Sequence, residues 1–277
     1  IGRIFLIAKL IYIYQKRASM SRRYDQSTTT FSPEGRLHQV EYAIEAINNA
    51  GTCVGLQSNE GIVLAAERRT VSKLLAPSKT SEKTYVLDDH VSCLVAGLTA
   101  DANILIHQSR LASQRYLYSY QEPMPVEQIV KSVCNYKQAY TQFGGLRPFG
   151  VAFVFAGWDI NHGFQLYQSD PSGNYSGWKA TVIGQNNQAG KSILKTDYKE
   201  DATINDNLKL SVKILLKTLD SATPSPERIE LSVLKKGDND KVVHTTLTDA
   251  EVKVLIEDIE KELEEERKKA EAAMGDI

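Results

Sequence analysis

The sequence has few cysteines, and their spacing excludes the sites that cysteines commonly build. Cys53, Cys93 and Cys134 are the three cysteines of the 277-residue chain, and no CxxC pair occurs. Disulfide frameworks and zinc sites need paired or clustered thiols, so this scattered set favours a reducing compartment. We predict that each thiol is a small buried apolar group and not a nucleophile.

The chain also lacks an excess of charge of either sign. It carries 33 Lys and Arg against 34 Asp and Glu, a formal net charge of -1. A nucleic-acid-binding protein normally needs a basic surplus to neutralise phosphates, so this class is disfavoured. Hydrophobic residues make up 42% and charged residues 24%, which is ordinary for a globular chain and argues against disorder throughout.

Motifs for phosphate, metal and serine-hydrolase chemistry are absent from the sequence. No GxGxxG follows a predicted strand, and GxxxxGK[ST], HExxH and GxSxG do not occur. The five histidines are scattered, with no pair at a metal-ligand spacing. We therefore expect no cofactor and no bound metal.

The segment Ile1 to Ser19 differs from the rest of the chain, because it is apolar, rich in Ile and interrupted by Lys9. A transmembrane helix needs about twenty apolar residues, and this run is too short and too interrupted. A secretory signal is the second interpretation, but Gln15 to Arg17 make a poor cleavage site. Met20-Ser21 resembles an ordinary start. We expect residues 1–19 to be an artefact of gene prediction or cloning.

Three further segments are predicted from composition and pattern. Residues 20–31 are polar and without period, which predicts a flexible tail. Residues 32–247 carry the apolar periodicity of one folded domain. Residues 248–277 contain a run of acidic and basic side chains, which predicts a charged, solvated helix or tail.

Local patterns predict paired hairpins that alternate with paired helices. Ser32-Pro33 has the composition of a helix start, and apolar residues at three- and four-residue steps continue this helix to Asn49. Strands are predicted at residues 52–57, 61–67, 83–88, 90–97, 150–158, 163–170 and 175–184, and in a hairpin around Gly237. Further helices are predicted at residues 101–120, after Pro125, at 186–200, at 203–220 and from Thr248.

This order of elements predicts the fold class. A parallel sheet needs one helix for each strand, which the paired elements do not provide. Strands such as residues 150–158 are apolar on both faces, so the sheets should be covered on both sides. We predict an α+β fold in which two antiparallel sheets lie between helix layers, a four-layer αββα sandwich in one domain.

One segment carries a much more specific pattern. Residues 23–43 read RYDQSTTTFSPEGRLHQVEYA and closely resemble the N-terminal signature of proteasome alpha subunits. The match is long and without gaps. Further blocks that resemble this family are GIVLAAERR (61–69), SEK (81–83), VAGLTADA (95–102), YTQFGGLRPFGV (140–151) and YQSDPSGNYSGWKATVIG (167–184). The resemblance covers Ser21 to about Leu247.

The resemblance implies a fold, a function and a set of partners. The fold is the sandwich of the N-terminal-nucleophile hydrolases, with an added N-terminal helix across its top. The function is that of a non-catalytic subunit of the outer ring of the 20S proteasome core, in the cytoplasm and nucleus. The implied partners are neighbouring alpha subunits in a seven-membered ring, beta-ring subunits and the C-terminal tails of activators. No nucleic acid and no membrane are expected.

The resemblance also assigns residues to three sites. The gate residues of the N-terminal tail are Tyr24, Asp25, Pro33 and Tyr42. The activator pocket, which meets a terminal carboxylate, is assigned to Lys83, Gly97, Leu98 and Glu41. The substrate port behind the gate is assigned to the turn Phe143, Gly144, Gly145 and Leu146. The alternatives are a turn residue at Tyr24, a plain helix stop at the glycines, and a structural Lys83 paired with Glu82 or Asp88.

An active threonine peptidase of the same fold is the rival interpretation. That chemistry needs a Thr at a freed N-terminus, because the hydroxyl attacks and the amine of the same residue serves as base. Matching residues 61–67 to the family pattern places Gly51 at this position, and Gly has no hydroxyl. Thr52 is one residue away and internal, so it has no free amine. We expect no catalytic residue.

Two other residues fall on catalytic positions of the peptidases. Glu67 matches the acidic residue and Lys83 the lysine, but neither acts without a nucleophile. We predict that Glu67 forms a structural ion pair with Arg68 or Arg69. A third interpretation, a membrane-anchored protein, depends on residues 1–13 alone.

Overall fold

Two five-stranded antiparallel sheets form the centre of the protein, which we describe from a computed structural model. The structure describes residues 30–69, 74, 81–219, 225–237 and 241–275, with side chains up to Glu262. The predicted extension at 1–19 and most of the predicted tail at 20–31 lie outside these ranges. The strands are β1 (Cys53–Gln57), β2 (Gly61–Glu67), β3 (Thr84–Asp88), β4 (Val91–Gly97), β5 (Val151–Asp159), β6 (Gly163–Ser169), β7 (Tyr175–Gly177), β8 (Ala180–Ile183), β9 (Ile229–Lys236) and β10 (Val242–Thr246).

The helices lie on both outer faces of the sheets. Sheet 1 has the strand order β10-β9-β2-β1-β8, and sheet 2 has the order β3-β4-β5-β6-β7. The helices are α1 (His38–Asn48), α2 (Thr99–Tyr120), α3 (Val126–Gln142), α4 (Asn187–Asp197), α5 (Ile204–Thr218) and α6 (Asp249–Gly275), with a short 3-10 helix at Pro226–Arg228. Helices α2 and α3 cover sheet 2, and α4 to α6 cover sheet 1. The predicted four-layer αββα sandwich is confirmed.

Strand β5 shows why the sheets need apolar residues on both faces. Its side chains alternate between two cores, as the pleat of a strand requires. Phe153 and Phe155 face α2 and α3, whereas Val154 packs between the sheets with residues such as Leu94 and Leu166. Helix α1 contacts β4 and β5, and its Ile47 is buried in the same layer between the sheets.

The predicted helix start at Ser32 is wrong, because Ser32 begins a β-turn and α1 starts six residues later at His38. The amide of Gly35 donates to the carbonyl of Ser32 at 2.8 Å, and Gly35 has φ +77°. Serine, proline and glycine at the first, second and fourth positions favour a turn as well as a helix start. The left-handed φ of Gly35 ends any helix at this point.

The predicted strand at residues 175–184 is two strands that belong to different sheets. Strand β7 pairs with β6 in sheet 2, and β8 pairs with β1 in sheet 1. The chain passes between the sheets at Trp178-Lys179, where Trp178 N donates to Leu166 O at 2.8 Å and Lys179 O accepts from Gln57 N at 2.9 Å. The residue pattern predicted the extended conformation correctly, but it contains no information about which strand is the partner.

Lys137 in α3 is a fully buried cation that joins this helix to sheet 2. Its ammonium donates to the carbonyl of Val151 and the hydroxyl of Ser169, both at 3.0 Å, and to the carbonyl of Asp170 at 3.3 Å. No carboxylate is among these partners. Burial therefore lowers the pKa of Lys137 to about 8.

We predict that the free energy of unfolding rises with pH more steeply in the native protein than in a Lys137→Met variant. Between pH 8 and the ordinary lysine pKa of 10.5, the unfolded chain binds a proton that the folded chain has released. The shift corresponds to about 3 kcal/mol across this window. Urea unfolding from pH 7 to 10.5 measures the difference, with Lys137→Arg as a variant that stays charged throughout. If the free energy of unfolding changes with pH in the same way for the native protein and both variants, the lowered pKa of Lys137 is contradicted.

Candidate functional site

Gly51, the residue that the sequence matches to the peptidase nucleophile, lies two residues before β1. A Cβ atom at this glycine would lie 2.9 Å from the carbonyl oxygen of Glu67, which leaves little room for a side chain. The neighbouring Thr52 is fully buried, its hydroxyl donates to the carbonyl of Gln185 at 2.8 Å, and its amide donates to Glu67 at 3.3 Å. No residue of this group combines a free hydroxyl with a free amine.

Glu67 is a buried carboxylate with two arginine partners. It lies 3.2 Å from Arg228 and 3.8 Å from Arg69, so the predicted pairing with Arg69 is confirmed. Arg68 pairs instead with Glu230, at 3.1 Å. Successive side chains of an extended segment point to opposite sides, so Arg69 returns to the side of Glu67 and Arg68 does not.

Lys83 lies directly before β3 at the edge of sheet 2. Its carbonyl accepts a hydrogen bond from the amide of Val95 in β4 at 3.1 Å, and its side chain is partly buried. Within the part of the chain that the structure describes, its ammonium forms no ion pair with Glu82 or Asp88. The alternative of a structural lysine paired with these residues therefore lacks its contact.

Gly97 and Leu98 lie at the end of β4, on the neighbouring strand to Lys83. Gly97 has φ +122°, and a Cβ there would lie 2.2 Å from the carbonyl oxygen of Gly150, so only glycine fits. The amide of Leu98 donates to the same oxygen at 2.9 Å, and its side chain is 50% exposed. These two residues form a small, open and partly apolar surface.

Glu41 lies on α1, the helix that contacts β4 and β5. Its carboxylate forms two hydrogen bonds with the guanidinium of Arg36, at 2.7 and 2.8 Å, and lies 3.6 Å from Nδ1 of His38. The hydrogen bond from Arg36 lowers the pKa of Glu41. The described residues show no bond between Glu41 and Lys83. Lys83 therefore lies just before β3 and Gly97 and Leu98 lie at the end of the neighbouring β4, whereas Glu41 lies on the helix that contacts β4 and β5.

Two of the four assigned gate residues can be located. Pro33 is exposed in the turn that precedes α1, and Tyr42 is 51% exposed on α1. Tyr24 and Asp25 lie outside the described residues. The contact between these pairs therefore stays a prediction.

The assigned port residues form an exposed turn directly after α3. Gly144 and Gly145 have φ values of +80° and +61°, a left-handed backbone that glycine adopts without a steric cost. Phe143 and Leu146 are 63% and 52% exposed, so a neighbouring protein or a passing polypeptide could reach both side chains. Their role in a port stays a prediction.

A carboxylate that the sequence does not indicate connects this turn to Gly150, the residue against which Gly97 packs. Asp101, in the first turn of α2, binds Arg147 through two hydrogen bonds of 2.6 and 2.8 Å and accepts the amide of Gly150 at 3.0 Å. The hydrogen bond from Arg147 lowers the pKa of Asp101. Neither residue belongs to a pattern that predicts a partner 46 residues away.

Further features of the described residues concern the thiols, possible metal ligands and apolar helices. All three cysteines are buried, and burial raises the pKa of Cys53 to about 12 and of Cys134 to about 11. In the described ranges, no group of His, Cys, Asp and Glu is arranged to hold a metal ion, and no helix is long and apolar enough to cross a membrane. A cavity of about 700 Å³ at the far end of β4 and β5, near His90 and Trp158, contains none of the assigned residues.

These observations define a class: a sandwich of the N-terminal-nucleophile type with an additional helix before β1. Residues 47–234 match the family model for proteasome subunits, and residues 24–46 match the model for the N-terminal signature of the A-type proteasome subunits. The chain belongs to the proteasome subunit family. With its alpha-type signature, it is a non-catalytic subunit of this family.

The chain is similar to alpha type-4 proteasome subunits from plants and an amoeba. It is 63% identical to the alpha type-4 protein of Spinacia oleracea over 213 residues, which covers 77% of this chain and 85% of the relative. It is 62% identical to the alpha type-4-A protein of Arabidopsis thaliana over the same shares. It is 55% identical to the alpha type-4 protein of Dictyostelium discoideum over 250 residues, 89% of this chain and 99% of the relative. The predicted resemblance is confirmed.

We predict that Asp101→Asn loosens the turn at residues 143–147 without unfolding the domain. Loss of the charge should raise amide hydrogen exchange at residues 143–150 by roughly tenfold or more, because one charge-assisted pair and one amide acceptor are weakened. Mass-resolved hydrogen exchange measures this, with Asp206→Asn at the start of α5 as the control. Unchanged exchange at residues 143–150 would contradict the role of Asp101.

Proposed function

We propose that this chain is a structural subunit of the outer alpha ring of the 20S proteasome core. In this proposal it helps to assemble the seven-membered ring next to a beta ring, gates the substrate pore and docks regulatory particles. These activities serve ubiquitin-dependent and ubiquitin-independent protein degradation in the cytoplasm and nucleus. The observation that carries the proposal is the alpha-type signature at residues 24–46, joined to a sandwich in which Gly51 occupies the nucleophile position.

The proposed docking site consists of Lys83, Gly97, Leu98 and Glu41. An ammonium on a flexible stem suits the terminal carboxylate of an activator tail, and a charge-assisted hydrogen bond of this kind contributes roughly 1.5–3 kcal/mol. The Lys83 ammonium has no ion-pair partner among the described residues. Gly97 lets the end of β4 lie directly against Gly150, because a Cβ there would meet the Gly150 carbonyl oxygen, and Leu98 offers a half-exposed apolar contact to an incoming tail.

We predict that Lys83→Ala leaves ring assembly intact and weakens the binding of carboxylate-tailed activators at this subunit. Crosslinking of an activator tail to this subunit in reconstituted particles is the measurement, because pockets on neighbouring subunits stay functional. We expect a loss of at least about tenfold, as for one charge-assisted bond. Lys179→Ala removes an exposed lysine paired with Glu200 and is the matched control. Undiminished crosslinking in Lys83→Ala would refute the docking role.

The proposed gate consists of Tyr24, Asp25, Pro33 and Tyr42. A flexible tail becomes ordered only when specific contacts offset its conformational entropy, about 1–2 kcal/mol for each backbone residue. Pro33 and Tyr42 are both exposed close to where the described chain begins, so a tail that precedes them can contact both.

We predict that Asp25→Ala impairs activator-driven opening and does not block ring assembly. The measurement is peptide hydrolysis by reconstituted particles with and without activator, since only the stimulated rate depends on an ordered open gate. Asp89→Ala, an exposed turn residue between β3 and β4, is the control. A stimulated rate equal to that of native particles would count against this gate.

A further inference from the structure

We propose that Glu230 is a positioning residue that presents Lys83 to the carboxylate of an activator tail. This inference rests on the docking function proposed above. Glu230 belongs to β9, in the other sheet from the strand that follows Lys83, and no motif of the sequence indicates a connection between the two residues.

The carboxylate of Glu230 binds three successive backbone amides. Its Oε2 accepts the amides of Glu82 and Lys83 at 3.0 and 3.3 Å, and its Oε1 accepts the amide of Thr84 at 2.9 Å. The Glu230 side chain is 0% exposed. This one carboxylate therefore binds three successive amides of the backbone that enters β3 and attaches them to sheet 1.

Both backbone groups of Lys83 are engaged as a result. Its amide donates to Glu230, and its carbonyl accepts from Val95 in β4. Strand β3 is an edge strand, so no neighbouring strand is paired with its other side among the described residues. Without the Glu230 carboxylate, the Lys83 backbone would keep only its hydrogen bond with Val95. The Cα atom from which the lysine side chain extends would then be less well positioned.

Glu230 remains ionised in this environment. Burial opposes its ionisation, but the hydrogen bonds from Thr84, Arg68 and the amide of Glu82 outweigh this effect and lower its pKa. Arg68 Nε lies 3.1 Å away and supplies the only positive charge in direct contact with it among the described residues. An ionised acceptor binds amides more strongly than a neutral one, which is why a glutamate and not a glutamine is suited to this role.

The connection crosses from one sheet to the other. Glu230 lies in sheet 1, whereas Thr84 and Val95 lie in sheet 2. The hydroxyls of Ser232 and Thr84, 3.4 Å apart, make a second and weaker contact between the same two strands. The position of Lys83 relative to Gly97 and Leu98 is thus determined by the packing of the two sheets and not by its own strand alone.

The test compares two tail peptides on intact particles that contain Glu230→Gln. Both carry a photo-crosslinker and the same activator-derived sequence, and one ends in a free carboxylate whereas the other ends in an amide. We expect crosslinking of the carboxylate peptide to this subunit to fall by at least about tenfold, with little change for the amide peptide. A general loss of structure would lower both equally, so the ratio separates positioning from folding.

Asp159→Asn is the matched control. Asp159 is also a buried carboxylate that accepts three backbone amides, those of Val126, Asn161 and His162. It lies at the opposite end of β5 from Gly97, because Gly97 pairs with Val151 at the start of that strand. In this variant, the ratio of crosslinking by the carboxylate-ended peptide to crosslinking by the amide-ended peptide should be unchanged.

Each outcome is informative. If Glu230→Gln keeps the native ratio while Lys83→Ala loses it, the positioning role is overturned and the docking function stands. If Lys83→Ala also keeps the native ratio, both proposals fall. If Glu230→Gln does not enter particles, Glu230→Asp decides, because it keeps the charge but is too short to reach all three amides. A native ratio in Glu230→Asp would then overturn the positioning role.

Discussion

The proposed arrangement of the candidate pocket depends on the hydrogen bonds and the ion pair that the buried carboxylate of Glu230 forms. Placing an isolated charge in a protein interior costs several kcal/mol, and this cost is offset only when strong donors surround the charge. Here three amides and Arg68 provide them. Because the donors come from sheet 2 and from the end of β2, the same charge joins the two sheets and directs the chain into β3. Loss of the carboxylate would leave these donors without an acceptor in a buried place.

The residues that would serve a peptidase serve the framework instead. The Glu67 carboxylate accepts the amide of Thr52 and binds two arginines, and the Thr52 hydroxyl donates to Gln185. All of these groups are satisfied within the chain. Lys83 differs from them, since its backbone is bound on both sides while its ammonium has no ion-pair partner in the described ranges. This contrast is the physical reason for placing the function of the site at Lys83 and not at Glu67.

The sequence predicted what depends on near neighbours along the chain. The strands at residues 61–67 and 150–158, the two apolar faces of β5 and the helix after Pro125 follow from local rules, and the layered fold follows from the order of the elements. The predicted start of α1 at Ser32 was wrong, because Ser32-Pro33 followed by Gly35 suits a β-turn as well as a helix start. The division of residues 175–184 between two sheets, and the partners of Asp101 and Glu230, depend on residues far away in the sequence. No local pattern contains that information.

The pairing of β2 with β9 affects how the chain folds during synthesis. Gly61 lies opposite Lys235 in this register, so 174 residues of synthesis separate the two strands (235 − 61). Until β9 leaves the ribosome, one edge of the entirely buried strand β2 has no partner, and its apolar residues are open to other chains. Sheet 1 therefore closes late, and the nascent chain has to be protected from aggregation for most of its elongation. A truncated product that ends before Ile229 would carry this edge permanently.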